Sequence, residues 1–279
     1  MSSLTKTLKD MLKSYLSKDE IDYVRTSYDI IGDIALIEIP LELRKKEKII
    51  AQAIIERHKN VKTVAKKAGI HSGEFRTQKI KVILGRKKTE TMHKESLVRI
   101  MLDVGKVYFS PRLASERLRI AKLVKPNEII LVMFSGCGPY PLVIAKNSQA
   151  KVIHGIEKNP IAHEYAVKNV KLNKLEKKII LIKGDVKKVI KNLSQKFDRI
   201  VMPLPKDSES FLKEALSVAK SVSYLHYYTF SSLEDSKQTA LNIKDAIKIL
   251  GRNCEILNIV KCGQYSPRVY RICIDFLLS

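Results

Sequence analysis

Two glycines one residue apart, Gly136 and Gly138, an acid nineteen residues beyond them, Glu157, and a Gly184-Asp185 pair further on stand out in this 279-residue sequence. Their types and spacing could do chemistry. The loop Phe134-Ser135-Gly136-Cys137-Gly138 follows an apolar run, Ile129 to Met133, and precedes Pro139 and Pro141, which suit the first turn of a helix. Residues without a Cβ let the main chain approach a nucleotide-like group, and the N–H groups of a helix start offer donors to an anion. Glu157 closes the next apolar run, where one carboxylate can accept from both hydroxyls of a ribose. Asp185 closes the third, where it can accept from an adenine amino group while Gly184 leaves room for the ring. Each acid alone reads equally well as a helix cap or a solvated group. Loop, acid and acid on three successive strand ends point together to an adenosyl cofactor. The loop lacks the third glycine of G-x-G-x-x-G, which packs helix and strand around a pyrophosphate, so S-adenosylmethionine is preferred to a dinucleotide.

The elements that must position these residues are legible as alternating apolar periods. Apolar runs at 129–133, 151–156, 179–182, 199–202 and 222–229 predict strands, with helices at 113–123, 140–148, 161–173, 186–193, 208–219 and 233–250 between and around them. Strands near 254–262 and 270–277 finish the chain. Such alternation predicts an α/β fold with a doubly wound, mainly parallel sheet that binds ligands at the carboxyl ends of its strands. Upstream the texture differs. Residues 4–25 carry apolar positions at helical spacing, 28–40 read as two short strands hinged at Gly32, and a helix is predicted at 43–57. Extended structure restarts at 61–64, and successive strands are predicted at 75–84, 95–102 and 106–109, with turns at Gly85 and 103–105. The expected organisation is an N-terminal helical segment (1–26), a smaller α+β domain (27–106) and a cofactor-binding domain (107–279).

Composition adds a partner class. Lys plus Arg number 52 against 29 Asp plus Glu, a formal charge of +23. A lysine-rich solvated surface would be more nearly balanced in sign, so a polyanion such as nucleic acid is the expected partner. Cys137, Cys254, Cys262 and Cys273 form no C-x-x-C pair and the six histidines show no metal spacing, so reduced thiols and no metal are expected. No run of about 18 apolar residues and no signal-peptide core occur, which predicts a cytoplasmic chain without membrane segments. A monomer is expected.

Several blocks of residues carry a family resemblance. Tyr108-Phe109-Ser110-Pro111-Arg112-Leu113-Ala114-Ser115-Glu116-Arg117, Met133-Phe134-Ser135-Gly136-Cys137-Gly138-Pro139, Ile156-Glu157-Lys158-Asn159-Pro160 and His226-Tyr227-Tyr228-Thr229 together resemble the archaeal and eukaryotic tRNA (guanine-N1)-methyltransferases that act at position 37, and their wyosine-pathway relatives. Ser27 to Ala35 looks like the start of that family's middle domain. The resemblance covers residues 27–279 and implies a Rossmann-like class I methyltransferase domain. By resemblance Glu116 is the general base that removes the N1 proton, Arg76 supports Glu116 and the O6 charge, and Tyr108 lines the methyl-transfer pocket. The same resemblance implies that Ser110, Arg117, Glu157, Gly184, Asp185 and the loop of Phe134, Ser135, Gly136 and Gly138 hold S-adenosylmethionine. Arg112 and Lys206 would contact tRNA phosphates.

Three departures from the family pattern matter. The usual Asn-Leu-Pro at the fourth strand's end is Pro203-Leu204-Pro205 here, so the target-base pocket offers a carbonyl in place of an amide. The acid usual at the end of the first strand is replaced by Leu131-Val132. The 26 residues before Ser27 are too few for a domain that inspects the tRNA elbow, so weak checking of overall tRNA shape is expected. The Pro203 turn also suggests a second substrate, C7 of 4-demethylwyosine. Alternatives are transfer of the 3-amino-3-carboxypropyl group from the same cofactor, and an inactive RNA-binding module of methyltransferase fold.

Overall fold

The computed structural model describes residues 6–68, 75 and 77–279. The chain forms two compact units, Met1–Lys94 with Met101–Pro111, and Glu95–Ile100 with Arg112–Ser279.

In the first unit, short helices α1 (Leu8–Leu12) and α2 (Lys18–Tyr23) each open on a capping box, Thr7 with Asp10 and Ser17 with Glu20. Strands β1 (Asp29–Ile31) and β2 (Ile34–Ile37) pair antiparallel through a turn at Gly32, whose φ is +58°. A Cβ there would lie 2.2 Å from Thr91 Oγ1, so only glycine fits. A 3-10 turn and helix α3 (Glu47–Arg57) then cross to β3 (Thr63–Lys67), parallel to β2, and β4 (Ile80–Gly85) completes the order β1-β2-β3-β4. Leu8, Leu12 and Leu16 are buried in one cluster with Ile37, Ile50, Ile54 and Val64. The apolar positions of the N-terminal helices thus pack into this unit's core.

Strands β5 (Glu90–Glu95) and β6 (Val98–Asp103) form a hairpin where a single strand at 95–102 was expected. Its turn residues, Ser96 and Leu97, both have positive φ (41° and 67°), the twist a two-residue hairpin needs. Neither residue type signals such a turn, which is why the sequence hides it. The strand expected at 106–109 is also absent: the N–H groups of Lys106 and Val107 both donate to Asp103 O, closing a turn.

The second unit follows the predicted alternation. Its elements are α4 (Ala114–Leu123), β7 (Ile129–Met133), α5 (Pro139–Asn147), β8 (Val152–Glu157), α6 (Pro160–Leu172), β9 (Ile179–Lys183), α7 (Val186–Lys191) and β10 (Phe197–Met202). Then come α8 (Leu212–Val218), β11 (Ala219–Ser231), α9 (Ser236–Ile249), β12 (Cys254–Ser266) and β13 (Val269–Leu278). The sheet order is β12-β13-β11-β10-β7-β8-β9, with β13 antiparallel to both neighbours and the other internal pairs parallel. β7 lies inside the sheet, between β10 and β8, and reads as continuous apolar sequence because Ile130 to Met133 are fully buried. The chain winds outward from β7 through β8 and β9, then returns to β10 on β7's other side. That reversal opens the sheet's crevice at the carboxyl ends of β7 and β10. Among the described residues no helix is long and apolar enough to cross a membrane.

Candidate active site

The loop after β7 is held in a strained form by its neighbours. Phe134, Gly136 and Gly138 all have positive φ (59°, 57° and 88°). Ser135 N–H donates to Ile156 O at 2.8 Å, and Asn169 Nδ2 of α6 donates to Cys137 O at 3.0 Å. These bonds anchor the loop's backbone to β8 and α6.

Glu157, at the end of β8, faces this loop. Gly136 N–H donates to its Oε2 and Asn159 N–H to its Oε1, both at 2.7 Å. Burial holds the carboxyl above its ordinary value, and the N–H groups of Asn159 and Gly136 offset this only in part. Ser135 Oγ is buried without a hydrogen-bond partner, and the bare Cα of Gly155 makes room for it, since a Cβ there would come within 3.1 Å of that oxygen. Asp185 caps α7 by accepting from Lys187 N–H at 2.9 Å, and also accepts from Lys158 Nζ at 2.8 Å. The Lys158 bond, with the Lys187 amide, keeps Asp185 below the usual carboxylate range. Gly184 before it has φ +156°. Register pairs Met133 with Ile156 and Glu157 with Lys183, so the glycine loop, Glu157 and Asp185 line one edge of the sheet.

On the other side of β7, β10 ends in Met202 and the turn Pro203-Leu204-Pro205. Leu204 N–H donates to Met202 O at 2.8 Å and Ser208 Oγ donates to Leu204 O at 2.6 Å. Pro205 is buried and Lys206 is exposed. With two prolines and one internally bonded amide, the turn has only carbonyls to offer. Phe134 packs edge-on against Phe211 just beyond this turn, with ring centroids 4.8 Å apart.

Glu116 lies on α4 with only 4% of its surface exposed. Arg119, one turn on, grips both carboxylate oxygens, Nε to Oε2 at 2.7 Å and Nη2 to Oε1 at 2.8 Å, and Tyr228 Oη donates to Oε1 at 2.5 Å. The Tyr228 ring packs edge-on against Tyr140 at 6.0 Å, and Tyr140 is two residues past Gly138, so the candidate base and the glycine loop are joined through two tyrosines. Behind Glu116, Arg119 also grips Asp275, whose Oδ1 lies 2.6 Å from His226 Nδ1, while His226 Nε2 lies 2.6 Å from Arg199 Nη1. Arg199 in turn is paired with Glu128 at 2.7 and 2.9 Å. His226, Cys273 and Asp275 bring three metal-ligating atoms within 4.8 Å of one another, but Arg119 and Arg199 already occupy Asp275 and His226.

The remaining expected residues fall as follows. Arg117 sits buried on α4 with Nε and Nη2 taken up by Glu95, where a cofactor contact was expected. Arg112 is exposed. Tyr108 and Ser110 belong to the first unit, where Tyr108 lines a small cavity with Asp29, Lys67, Gln78 and Phe109. Arg76 lies outside the described residues. Sequence reasoning missed Arg119, Tyr228, Asp275, His226, Arg199 and Glu95 as partners. Only Arg119, at i+3 from Glu116 on a predicted helix, left a local signal.

The family model for the TRM5/TYW2 methyltransferase domain matches residues 91–259, and that for the TYW2 N-terminal domain matches residues 8–89. The chain is 41% identical to tRNA (guanine(37)-N(1))-methyltransferase Trm5b of Pyrococcus abyssi, over 92% of this chain and 76% of the relative. A crystal structure of that organism's Trm5b aligns with a TM-score of 0.88 at 38% identity, covering 100% of this chain and 82% of the other. The tRNA (guanine(37)-N(1))/4-demethylwyosine(37)-methyltransferase Taw22 of Nanoarchaeum equitans is 35% identical, over 90% of this chain and 99% of the relative. A tRNA(Phe) (4-demethylwyosine(37)-C(7)) aminocarboxypropyltransferase of Pyrococcus horikoshii is 33% identical, over 96% of this chain and 95% of the relative.

Proposed function

The chain belongs to the TRM5/TYW2 methyltransferase family, and from that premise we propose that it transfers the methyl group of S-adenosylmethionine to N1 of guanosine 37 in the anticodon loop of tRNA. The observation that carries this reading is the Glu157 carboxylate, aimed by Gly136 and Asn159 N–H groups beside the glycine loop. A carboxylate has about four acceptor positions, so the backbone amides that hold Glu157 leave acceptor capacity for a ribose. The orphaned Ser135 hydroxyl and the bare Gly184 before Asp185 fit the same adenosyl group. The 41% identity to a guanine-N1 methyltransferase favours methyl over aminocarboxypropyl transfer, for which the 33% relative is named.

When bound, S-adenosylmethionine supplies a methyl carbon activated by its sulfonium, and the electrons of the broken C–S bond stay on sulfur. The chain's own part is to remove the N1 proton of guanine, which otherwise blocks that nitrogen as a nucleophile. Glu116 takes it onto a carboxylate oxygen. Tyr228 and Arg119 orient that carboxylate. Arg76 and Tyr108 keep the roles the resemblance gives them, toward the O6 charge and the methyl pocket. The basic surface, Arg112 and Lys206 included, neutralises tRNA phosphates, and an anticodon loop lowers the cost of unstacking the target base.

The test is incubation of an unmodified tRNA transcript with labelled S-adenosylmethionine, followed by mass spectrometry of position 37. Methyl on N1, lost in Glu116→Gln with cofactor affinity retained, is expected. An aminocarboxypropyl adduct in place of methyl, or full turnover by Glu116→Gln, overturns the assignment.

A second substrate is favoured by one observation, the Pro203-Leu204-Pro205 turn that presents carbonyls where the family has an amide, together with the similarity to Taw22 over 99% of its length. The enzyme then also methylates C7 of 4-demethylwyosine. Absence of any added methyl on a tRNA carrying that base, under conditions that methylate guanosine 37, rejects this.

A further inference from the structure

Glu116 is not a solitary carboxylate. It is one end of a largely buried chain of charged groups that runs through α4, β11, β13 and β10. Three carboxylates, Glu116, Asp275 and Glu128, face two guanidiniums, those of Arg119 and Arg199. Of the three carboxylates, Glu128 is the one bonded to Arg199, through two bonds. Glu116 and Asp275 share Arg119.

His226 decides how this count balances, and its state follows from geometry. A guanidinium can only donate, so Arg199 Nη1 at 2.6 Å requires a lone pair on His226 Nε2. The ring's one proton therefore sits on Nδ1 and is donated to Asp275 Oδ1 at 2.6 Å. Protonating Nε2 would set a second cation against Arg199 in a site where His226 is 1% exposed. His226 is thus a neutral spacer that ties Asp275 to Arg199. The chain keeps one negative charge in excess, shared by the two carboxylates on Arg119.

That excess has a consequence for proton transfer. Were Arg119 paired with Glu116 alone, protonation of Glu116 would leave a half-buried guanidinium without a counter-charge, at a cost that would oppose the reaction. Asp275 remains on Arg119 whichever state Glu116 adopts, so the proton can arrive without leaving a lone cation. We propose that Asp275, held by His226, is a positioning residue that keeps Arg119 in place through both protonation states of Glu116 and so lets Glu116 act as proton acceptor. This rests on the reading of Glu116 as the base. The other titratable groups about Glu116 are Tyr140 from α5, Tyr228 from β11, Cys262 from β12 and Cys273 from β13, all shifted upward chiefly by burial and so neutral near pH 7. None of them can replace the Asp275 charge.

The experiment uses the full chain, with folding checked by circular dichroism, and measures kcat, both KM values and the pH profile of kcat with tRNA transcript and S-adenosylmethionine. Asp275→Asn should lower kcat roughly tenfold or more, with KM for both substrates within about twofold, and should displace the pH profile. The double variant Glu116→Gln/Asp275→Asn should be no slower than Glu116→Gln, because the second change acts through the first. Should Asp275→Asn fail to fold, His226 supplies the readout: His226→Leu should lose kcat, and His226→Asn, whose amide can donate to Asp275 as Nδ1 does, should recover most of it. A folded Asp275→Asn enzyme with kcat within about twofold of wild type, losses that multiply in the double variant, or equal kcat in His226→Leu and His226→Asn would each overturn the proposal. Full turnover by Glu116→Gln would instead remove the base assignment itself, so the two failures are distinguishable.

Discussion

Glu95 and Arg117 meet side by side, Oε1 to Nε and Oε2 to Nη2, each at 2.5 Å, with 4% and 2% of their side chains exposed. The pair joins the tip of the β5–β6 hairpin to α4 within the second unit, and beside it Asn147 Nδ2 donates to Ser96 O and Arg99 N–H to Asn173 Oδ1. Arg117 therefore holds a hairpin tip against the methyltransferase body, where the resemblance had implied a cofactor ligand.

Removing the carboxylate of this pair should be costly. Glu95→Ala takes the charged partner from a buried guanidinium, and a loss of about 3–5 kcal/mol in urea unfolding is expected. A loss below about 1 kcal/mol would mean that water reaches the pair in solution, as it does for surface ion pairs.

Cofactor affinity should depend on pH through Glu157. Only the ionised carboxylate can accept from two hydroxyls while holding the Gly136 and Asn159 amides. Its pKa is raised by burial, so calorimetric affinity for S-adenosylmethionine should fall, as pH is lowered, at a higher pH than an ordinary glutamate would give. Glu157→Gln should weaken binding by roughly ten- to a hundredfold at neutral pH, the worth of about 1.5–3 kcal/mol for charged hydrogen bonds. A pH-independent affinity would refute the assignment.

Stability should fall on the acid side of neutrality because of His226. Burial holds its protonation below the ordinary imidazole range, outweighing the pull of Asp275. The unfolded chain then binds more protons than the folded one, so stability rises with pH across the window from the lowered folded value up to about 6.5, and is lost as pH descends through it. His226→Asn should flatten this segment of the urea midpoint against pH relative to wild type. An unchanged slope would mean that other histidines carry it.

Two glycine substitutions should separate strain from collision. Gly138→Ala forces a φ of +88° on an L-residue but meets Ala166 Cβ only at 3.5 Å, so a cost of about 1–2 kcal/mol is expected. Gly32→Ala carries similar strain and also drives a Cβ to 2.5 Å from the Met92 carbonyl oxygen. Its thermal midpoint should drop further than that of Gly138→Ala, and the reverse order would show that the Gly32 turn can relax.

What the sequence by itself determined is what local chemistry controls. The apolar run Ile129 to Met133, the glycines after it, and the acids Glu157 and Asp185 on the next strand ends carry their own periodicity and turn preferences, and the strands and helices of the second unit lie where these placed them. The Ser96-Leu97 turn escaped because neither residue favours positive φ, and the register of the hairpin imposes it. The state of the candidate base was decided only by tertiary structure. Glu116 and Asp275 are 159 residues apart, and Arg119 joins them only because β13 inserts antiparallel beside β11, placing Asp275 opposite His226. Whether a carboxylate is free or gripped depends on which strands the sheet makes neighbours, and that pairing is set by packing of the whole unit rather than by any stretch of its sequence.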